Sequence, residues 1–306
     1  MPNIKPRQKP NFFIVGAPKG GTTALSEYLG DHQSIFVSNP KEPFFFCPEF
    51  SGLPGPKTLE AYLDLFMPVD EHTQAAGEAS AMYMYSKDAA ARIKAFCNDA
   101  KIVIMLRNPV DIAYAFHSQL LHASSEAEQD FERAWELQKS RAAGQNLPPH
   151  VREPSFLQYR NVALLGEQVE RYLKVFSRDQ IHFIVFNQFV RNTLGTYRET
   201  LDFLNVAYDG RTNFQPANAN KTNRSQKLAL FLNRPPPWAS ALARKTKHVL
   251  GLGNMDFLSP LRRMNATIES RKPLSEEMRG SLKECFSADI ELLSTLTDID
   301  LTDWTA

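Results

Sequence analysis

The sequence predicts an α/β fold, a single domain whose central parallel sheet is flanked by helices in a P-loop-like nucleotide-binding architecture. Three observations carry this. The apolar run Phe12-Phe13-Ile14-Val15 enters the turn Gly16-Ala17-Pro18-Lys19-Gly20-Gly21-Thr22-Thr23. A second run, Lys101-Ile102-Val103-Ile104-Met105-Leu106, stops abruptly at Arg107-Asn108-Pro109. Helical segments then alternate with a third run, Ile181-His182-Phe183-Ile184-Val185-Phe186. Short apolar runs separated by amphipathic segments read as buried parallel strands joined by crossover helices.

Taken in order, a basic leader over residues 1–10 with Lys5, Arg7 and Lys9 reads as a flexible end, and the catalytic domain as 11–306. After the glycine turn, Ala24 to Leu29 sets Leu25, Tyr28 and Leu29 on one helical side. Ile35 to Val37 reads as a short extended piece. It leads into Asn39-Pro40-Lys41-Glu42-Pro43-Phe44-Phe45-Phe46, where two prolines confine the backbone around a Lys-Glu pair. Residues 57–67 and Ser86 to Phe96 read as helices, and Pro109 suits the first turn of a helix running towards Leu121. The apolar spacing from Pro154 to Phe176 predicts one long amphipathic helix. A helix over Thr193 to Leu204, loops over 206–224 and at Pro235-Pro236-Pro237, and a closing helix from Ser275 to Leu296 complete the pattern.

Composition narrows the chemistry. The chain has 306 residues, 43% of them apolar, enough to bury its own core. Thirty-five Lys plus Arg against 34 Asp plus Glu leave no wide basic face, so nucleic acid is not an expected partner and any anion site is local. Three scattered cysteines, Cys47, Cys97 and Cys285, fit neither a disulfide framework nor a zinc knuckle and suggest a reducing cytoplasmic setting. No apolar run approaches the roughly 18 residues of a membrane span. The histidines form no metal-ligand pattern, and no metal is expected.

A strand running into a glycine turn, with two hydroxyls at a helix start, gathers backbone N–H groups into a nest suited to phosphate. An ATPase-type loop places its lysine after the glycines, immediately before Ser or Thr, whereas Lys19 precedes Gly20-Gly21. Gly-x-Gly-x-x-Gly dinucleotide spacing is also missing.

Pro18-Lys19-Gly20-Gly21-Thr22-Thr23 resembles the 5'-phosphosulfate loop of sulfotransferases that use 3'-phosphoadenosine 5'-phosphosulfate (PAPS). Lys41-Glu42-Pro43-Phe44-Phe45-Phe46 is similar to that family's Lys-Glu-Pro-His-Phe-Phe segment, and Gly77-Glu78-Ala79-Ser80 to its Gly-Glu-x-Ser element. Arg107-Asn108-Pro109-Val110-Asp111 is similar to the start of its 3'-phosphate motif. Lys272-Pro273-Leu274-Ser275 and Asp300-Leu301-Thr302-Asp303-Trp304 follow its bacterial pattern. The order of the motifs resembles the bacterial branch related to the heparan-sulfate sulfotransferases.

The resemblance implies PAPS as sulfuryl donor and PAP, the bisphosphate left behind, as product. Lys19 would meet charge on the leaving phosphate, with Gly20, Gly21, Thr22 and Thr23 holding the 5'-phosphate. Arg107 would engage the 3'-phosphate. The family usually continues with Arg and Ser where this chain has Ile112 and Ala115, so Ser118 is a candidate substitute and Arg224 a candidate closing cation. Glu42 is the expected base for the acceptor hydroxyl, the other readings being a cap or salt bridge in a surface turn and a contact to the acceptor that takes no proton. Lys41, Phe44 and Glu78 are expected on the acceptor side, where Glu78 organises the site by ion pairing or touches the acceptor and is the alternative base.

Tyr83, Tyr85, Tyr159 and the loop from Gly144 to Glu153 are candidates for the acceptor's mouth. The expected acceptor is a hydroxyl-bearing small molecule, saccharide or lipid-linked compound, and a homodimer is compatible with the sequence. Two rival readings are a noncatalytic nucleotide-binding interaction domain, kept open by Ile112 and Ala115, and a nucleoside kinase.

Overall fold

The predicted apolar runs become neighbours in a five-stranded sheet in the computed structural model, which describes residues 8–215, 221–223, 266–268 and 271–305. Its strands are β1 (Phe12–Gly16), β2 (Ile35–Val37), β3 (Ala75–Ala79), β4 (Lys101–Leu106) and β5 (Ile181–Val185). Their order is β2-β3-β1-β4-β5, with every pairing parallel. The chain leaves β1 towards β3 and later crosses back to β4. The order of connection thus switches sides at β1, where α/β sheets place ligands beyond the strands' C-terminal ends.

Side chains alternate across β1. Phe12 and Ile14 join Leu25, Val103, Met105 and Tyr197 in one core. Phe13 points the other way and meets Phe46 edge-on, with ring centroids 5.7 Å apart. Phe46 in turn packs against Tyr62 and Phe96, each 5.2 Å away.

Strand β3 escaped prediction because its sequence, Ala75-Ala76-Gly77-Glu78-Ala79, has poor intrinsic strand preference. Tertiary packing explains the small residues: a Cβ on Gly77 would lie 2.4 Å from the Phe12 carbonyl oxygen and 2.6 Å from its ring.

Helices α1 (Thr22–Gly30), α2 (Leu59–Leu63), α3 (Ala89–Phe96) and α4 (Pro109–His122) match the expected positions, α2 continuing as a 3-10 turn over Asp64–Phe66. Two short helices, α5 (Phe131–Glu136) and α6 (Gln138–Ala142), were not predicted. The long helix expected over Pro154 to Phe176 is instead a 3-10 turn (Pro154–Leu157), α7 (Tyr159–Ala163) and α8 (Leu165–Leu173). The last break has a tertiary cause. Asp289 accepts the Gly166 and Glu167 N–H groups at 2.8 and 3.0 Å, capping a new helix start with a distant carboxylate. Helices α9 (Phe186–Arg191) and α10 (Thr193–Leu204) follow. The closing helix α11 (Glu276–Thr297) carries Asp289, and Ser275 caps it by accepting the Met278 N–H at 3.1 Å.

By packing, the chain divides into two compact units. One holds the described residues of Met1–Ala113, Arg160–Ala217 and Ser275–Ala306; the other holds those of Tyr114–Tyr159 and Asn218–Leu274. The first contains the five-stranded sheet. The second contains β6 (Lys221–Asn223), paired antiparallel with β7 (Ala266–Ile268). The loop expected over 206–224 therefore ends in a strand, whose partner lies too far along the chain for a local pattern to show it. Pro235-Pro236-Pro237 lies outside the described residues.

Of the leader expected over residues 1–10, only residues 8–10 are described. Pro10 is buried, and the Lys9 ammonium sits 5.1 Å from the Phe96 ring centroid. Residues 1–7 lie outside the described set.

Candidate functional site

Three sequence motifs meet at the C-terminal ends of β1, β3 and β4. The glycine turn follows β1 and is tied to β4 through the Ala17 N–H, which donates to the Met105 carbonyl at 2.7 Å. Gly21 caps α1 with φ of 98°, a left-handed conformation that favours glycine. Thr22 and Thr23 are the first residues of α1, so their N–H groups lie at the positive end of the helix without intrahelical acceptors. The N–H of Gly20, expected to hold phosphate, is bonded within the turn to the Ala17 carbonyl at 3.0 Å.

Arg107, immediately after β4, lies against this turn. Its Nη1 donates to the Lys19 carbonyl at 2.9 Å, its guanidinium stacks 4.5 Å from the Phe186 ring centroid, and Asp111 pairs with Nη2 at 3.5 Å. Its Nε is buried without a hydrogen-bond partner. The side chain as a whole is 19% exposed, and a guanidinium beside a helix N-terminus favours an anion. Phe186 was read from sequence only as the end of an apolar run; it opens α9 and also faces Gly21, where a Cβ would approach its ring to 3.0 Å.

Glu42 reaches the site from the β2–β3 side. Its N–H donates to the Ala79 carbonyl at the end of β3 at 3.1 Å, and its Oε1 pairs with Lys41 Nζ at 3.1 Å. Both side chains stay partly open to solvent. Lys19 and Glu42 each have φ of 62°, and Phe44 has 53°. Left-handed backbone costs non-glycine residues on the order of 1–2 kcal/mol each, and such conformations gather at functional sites.

Glu78 departs from its expected surroundings. It is 0% exposed and belongs to no ion pair among the described residues. Instead it accepts three hydroxyls: Tyr62 at 2.7 Å and Tyr83 at 2.9 Å on Oε1, and Ser80 at 2.6 Å on Oε2. The expected direct contact with an acceptor has no route through that burial. Burial pushes its pKa up to about 7 although the three hydroxyls pull it down.

Because the folded carboxyl holds its proton more tightly than the unfolded one, its contribution to stability is greatest below about pH 4.5 and is withdrawn as pH rises to about 7. Denaturant unfolding should show the stability of the parent relative to Glu78→Gln falling across that window. A difference that stays flat rejects the shift.

Other expected residues take different places. Tyr83 and Tyr159 are fully buried and do not open onto a mouth. Phe46 is core, whereas Phe44 is partly exposed, its N–H donating to Ser80 Oγ at 3.3 Å. Ile112 and Ala115 are buried, and the Ser118 hydroxyl donates to the Tyr114 carbonyl of its own helix at 3.1 Å. Arg224 lies outside the described residues. Among the described residues no cluster of His, Cys, Asp and Glu is arranged to hold a metal, and no helix is long and apolar enough to cross a membrane.

Comparison with known proteins agrees with this geometry. A sulfotransferase domain family matches residues 9–231. Heparan sulfate glucosamine 3-O-sulfotransferase 3A1 of Mus musculus is 29% identical over 200 residues, covering 65% of this chain and 47% of that protein. Bifunctional heparan sulfate N-deacetylase/N-sulfotransferase 3 of Mus musculus is 30% identical over 203 residues, covering 65% of this chain and 22% of that protein. The chain thus spans about half the length, or less, of these curated relatives. A crystal structure of a sulfotransferase from Alicyclobacillus acidocaldarius superposes with a TM-score of 0.71 at 28% identity, covering 98% of this chain and all of the other. The glycine turn, Arg107 and Glu42 all fall inside the matched span, and the chain belongs to the sulfotransferase domain family.

Proposed function

We propose that this chain transfers the sulfuryl group of PAPS to an acceptor hydroxyl, with residues 11–306 as its catalytic domain. The contact between Arg107 and the Lys19 carbonyl carries the reading, because it puts the 3'-phosphate candidate and the 5'-phosphate turn within the span of one nucleotide. The Arg107 guanidinium, whose side chain is 19% exposed, and the N–H groups at the start of α1 suit the two phosphates.

The residues divide the chemistry by charge. Lys19 meets the negative charge that grows on the bridging oxygen as the sulfur–oxygen bond to the phosphate breaks. Glu42 takes the proton of the acceptor hydroxyl as its oxygen bonds to sulfur on the opposite side, and PAP departs. In-line placement supplies much of the rate gain. Lys41 Nζ, 3.1 Å from Glu42 Oε1, holds that carboxylate in place.

The relatives named for heparan sulfate support a saccharide or glycolipid acceptor. Ala79, where some heparan-sulfate enzymes carry lysine, makes a long polyanionic glycan less well matched. The three cysteines, all unpaired, support a reducing cytoplasmic setting.

Thermal unfolding with PAP, ADP and ATP tests the nucleotide reading. PAP at about 100 times its Kd should stabilise the protein by about 2.7 kcal/mol, well above ADP or ATP at the same concentration. Equal protection by ATP would favour the kinase alternative. Buried Ile112 and Ala115 give a specific reason to test the binding-only reading too. PAP protection with no transfer across saccharide, glycolipid and small-alcohol acceptors would favour it.

A further inference from the structure

Three consecutive phenylalanines follow the Glu42-Pro43 pair, and each is held by a different hydroxyl-bearing residue on Glu78. The Phe44 N–H donates to Ser80 Oγ at 3.3 Å, and the Phe46 N–H donates to Tyr83 Oη at 3.2 Å. Between them, the Phe45 ring stacks on Tyr62 with centroids 4.5 Å apart and planes 10° from parallel. Ser80, Tyr62 and Tyr83 all donate their hydroxyl protons to Glu78.

The direction of these bonds matters. A hydroxyl has one proton and two lone pairs. With the Ser80 and Tyr83 hydroxyls donating to the Glu78 carboxylate, their lone pairs are left to accept the loop N–H groups. The loop needs such anchors because Glu42 and Phe44 are both left-handed, at φ of 62° and 53°, and Pro43 between them has no N–H to donate.

We propose that Glu78 is a positioning residue for Glu42: by orienting Ser80, Tyr62 and Tyr83 it fixes the 44–46 segment and, through it, the strained loop that presents the Glu42 carboxylate. This rests on the reading of Glu42 as the base. It gives a buried acid, with no path to the acceptor, a specific part in the reaction.

Residue-resolved amide exchange tests the anchoring without an activity assay. Ser80→Ala should speed exchange at Phe44 about tenfold and spare Phe46, while Tyr83→Phe should do the reverse, each through one lost hydrogen bond. Glu78→Gln keeps an acceptor oxygen for the two tyrosines and sets an NH2 group against Ser80, so it should speed Phe44 and leave Phe46 and the amides of β4 unchanged. In turnover, Glu78→Gln should lower kcat about tenfold with KM for PAPS unaltered, and add no further loss on top of Glu42→Gln, since coupled residues are not additive.

Unchanged exchange at Phe44 and Phe46, a general acceleration that includes β4, or losses that multiply with Glu42→Gln would each overturn the proposal. If Glu78→Gln does not fold, the opposite exchange patterns of Ser80→Ala and Tyr83→Phe decide it. Normal turnover of Glu42→Gln overturns it through the base reading, and the exchange pattern then shows which of the two ideas failed.

Discussion

Replacing Glu42 with glutamine should lower sulfuryl transfer by about 10²–10⁴-fold, the range associated with loss of a general base, while PAP protection stays at the parental level. Glutamine keeps the length of the side chain and an oxygen for Lys41, whose Nζ lies 3.1 Å from Glu42 Oε1. What it removes is the capacity to take a proton. The nucleotide contacts are assigned to other residues, Lys19, the start of α1 and Arg107, so binding and chemistry should separate. Transfer from labelled PAPS, followed over saccharide, glycolipid and small-alcohol acceptors, provides the measurement. A folded variant with parental turnover would remove Glu42 from the mechanism.

The second large effect lies away from this chemistry. Arg141→Ala should destabilise the protein by about 3–5 kcal/mol, because it strands a buried carboxylate. Arg141 and Glu126 are 2% and 0% exposed and form a two-pronged pair, Nη1 to Oε2 at 2.7 Å and Nη2 to Oε1 at 2.8 Å. Glu126 also accepts the Tyr159 hydroxyl and the N–H groups of Ala127 and Glu128, so one carboxylate organises the chain between α4 and α5.

Burial alone would raise the pKa of Glu126, but its bonds from Arg141 and Tyr159 outweigh that and hold it below the usual carboxylate range. Its stabilisation is present at neutral pH and is lost as pH falls from about 4.5 through that depressed value. Urea unfolding of Arg141→Ala and of Glu126→Gln/Arg141→Ala measures the effect, and the double variant should recover part of the loss by removing the buried charge. A cost for Arg141→Ala under about 1 kcal/mol, the value of a solvent-exposed pair, would contradict the closed geometry.

Much of the sheet was legible because its strands are apolar and bounded by breakers. The runs at Phe12, Ile35, Lys101 and Ile181 all became strands, and helices α1, α10 and α11 lie within a residue or two of their expected limits. Strand β3 was invisible because its sequence is suited to close packing against Phe12, a property of the neighbour more than of the strand. The single helix expected before Phe176 failed for a similar reason. Asp289, far along the chain, supplies the cap that starts α8.

The resemblance of its motifs to the sulfotransferase family marked out Lys19, Glu42 and Arg107 as candidates for phosphate binding and proton transfer. It could not reveal that Gly20 spends its N–H inside the turn, that Phe186 stacks on Arg107, or that Glu78 gathers three hydroxyls in the core. These facts depend on partners brought together by the crossing of β1, β3 and β4. The linear order determined the menu of chemical groups and the strand-turn-helix frame, because periodicity and glycine geometry act locally. Which groups were buried, and which were left open to an anion, was decided only in three dimensions, because desolvation and hydrogen-bond partnership depend on neighbours that the chain order does not specify.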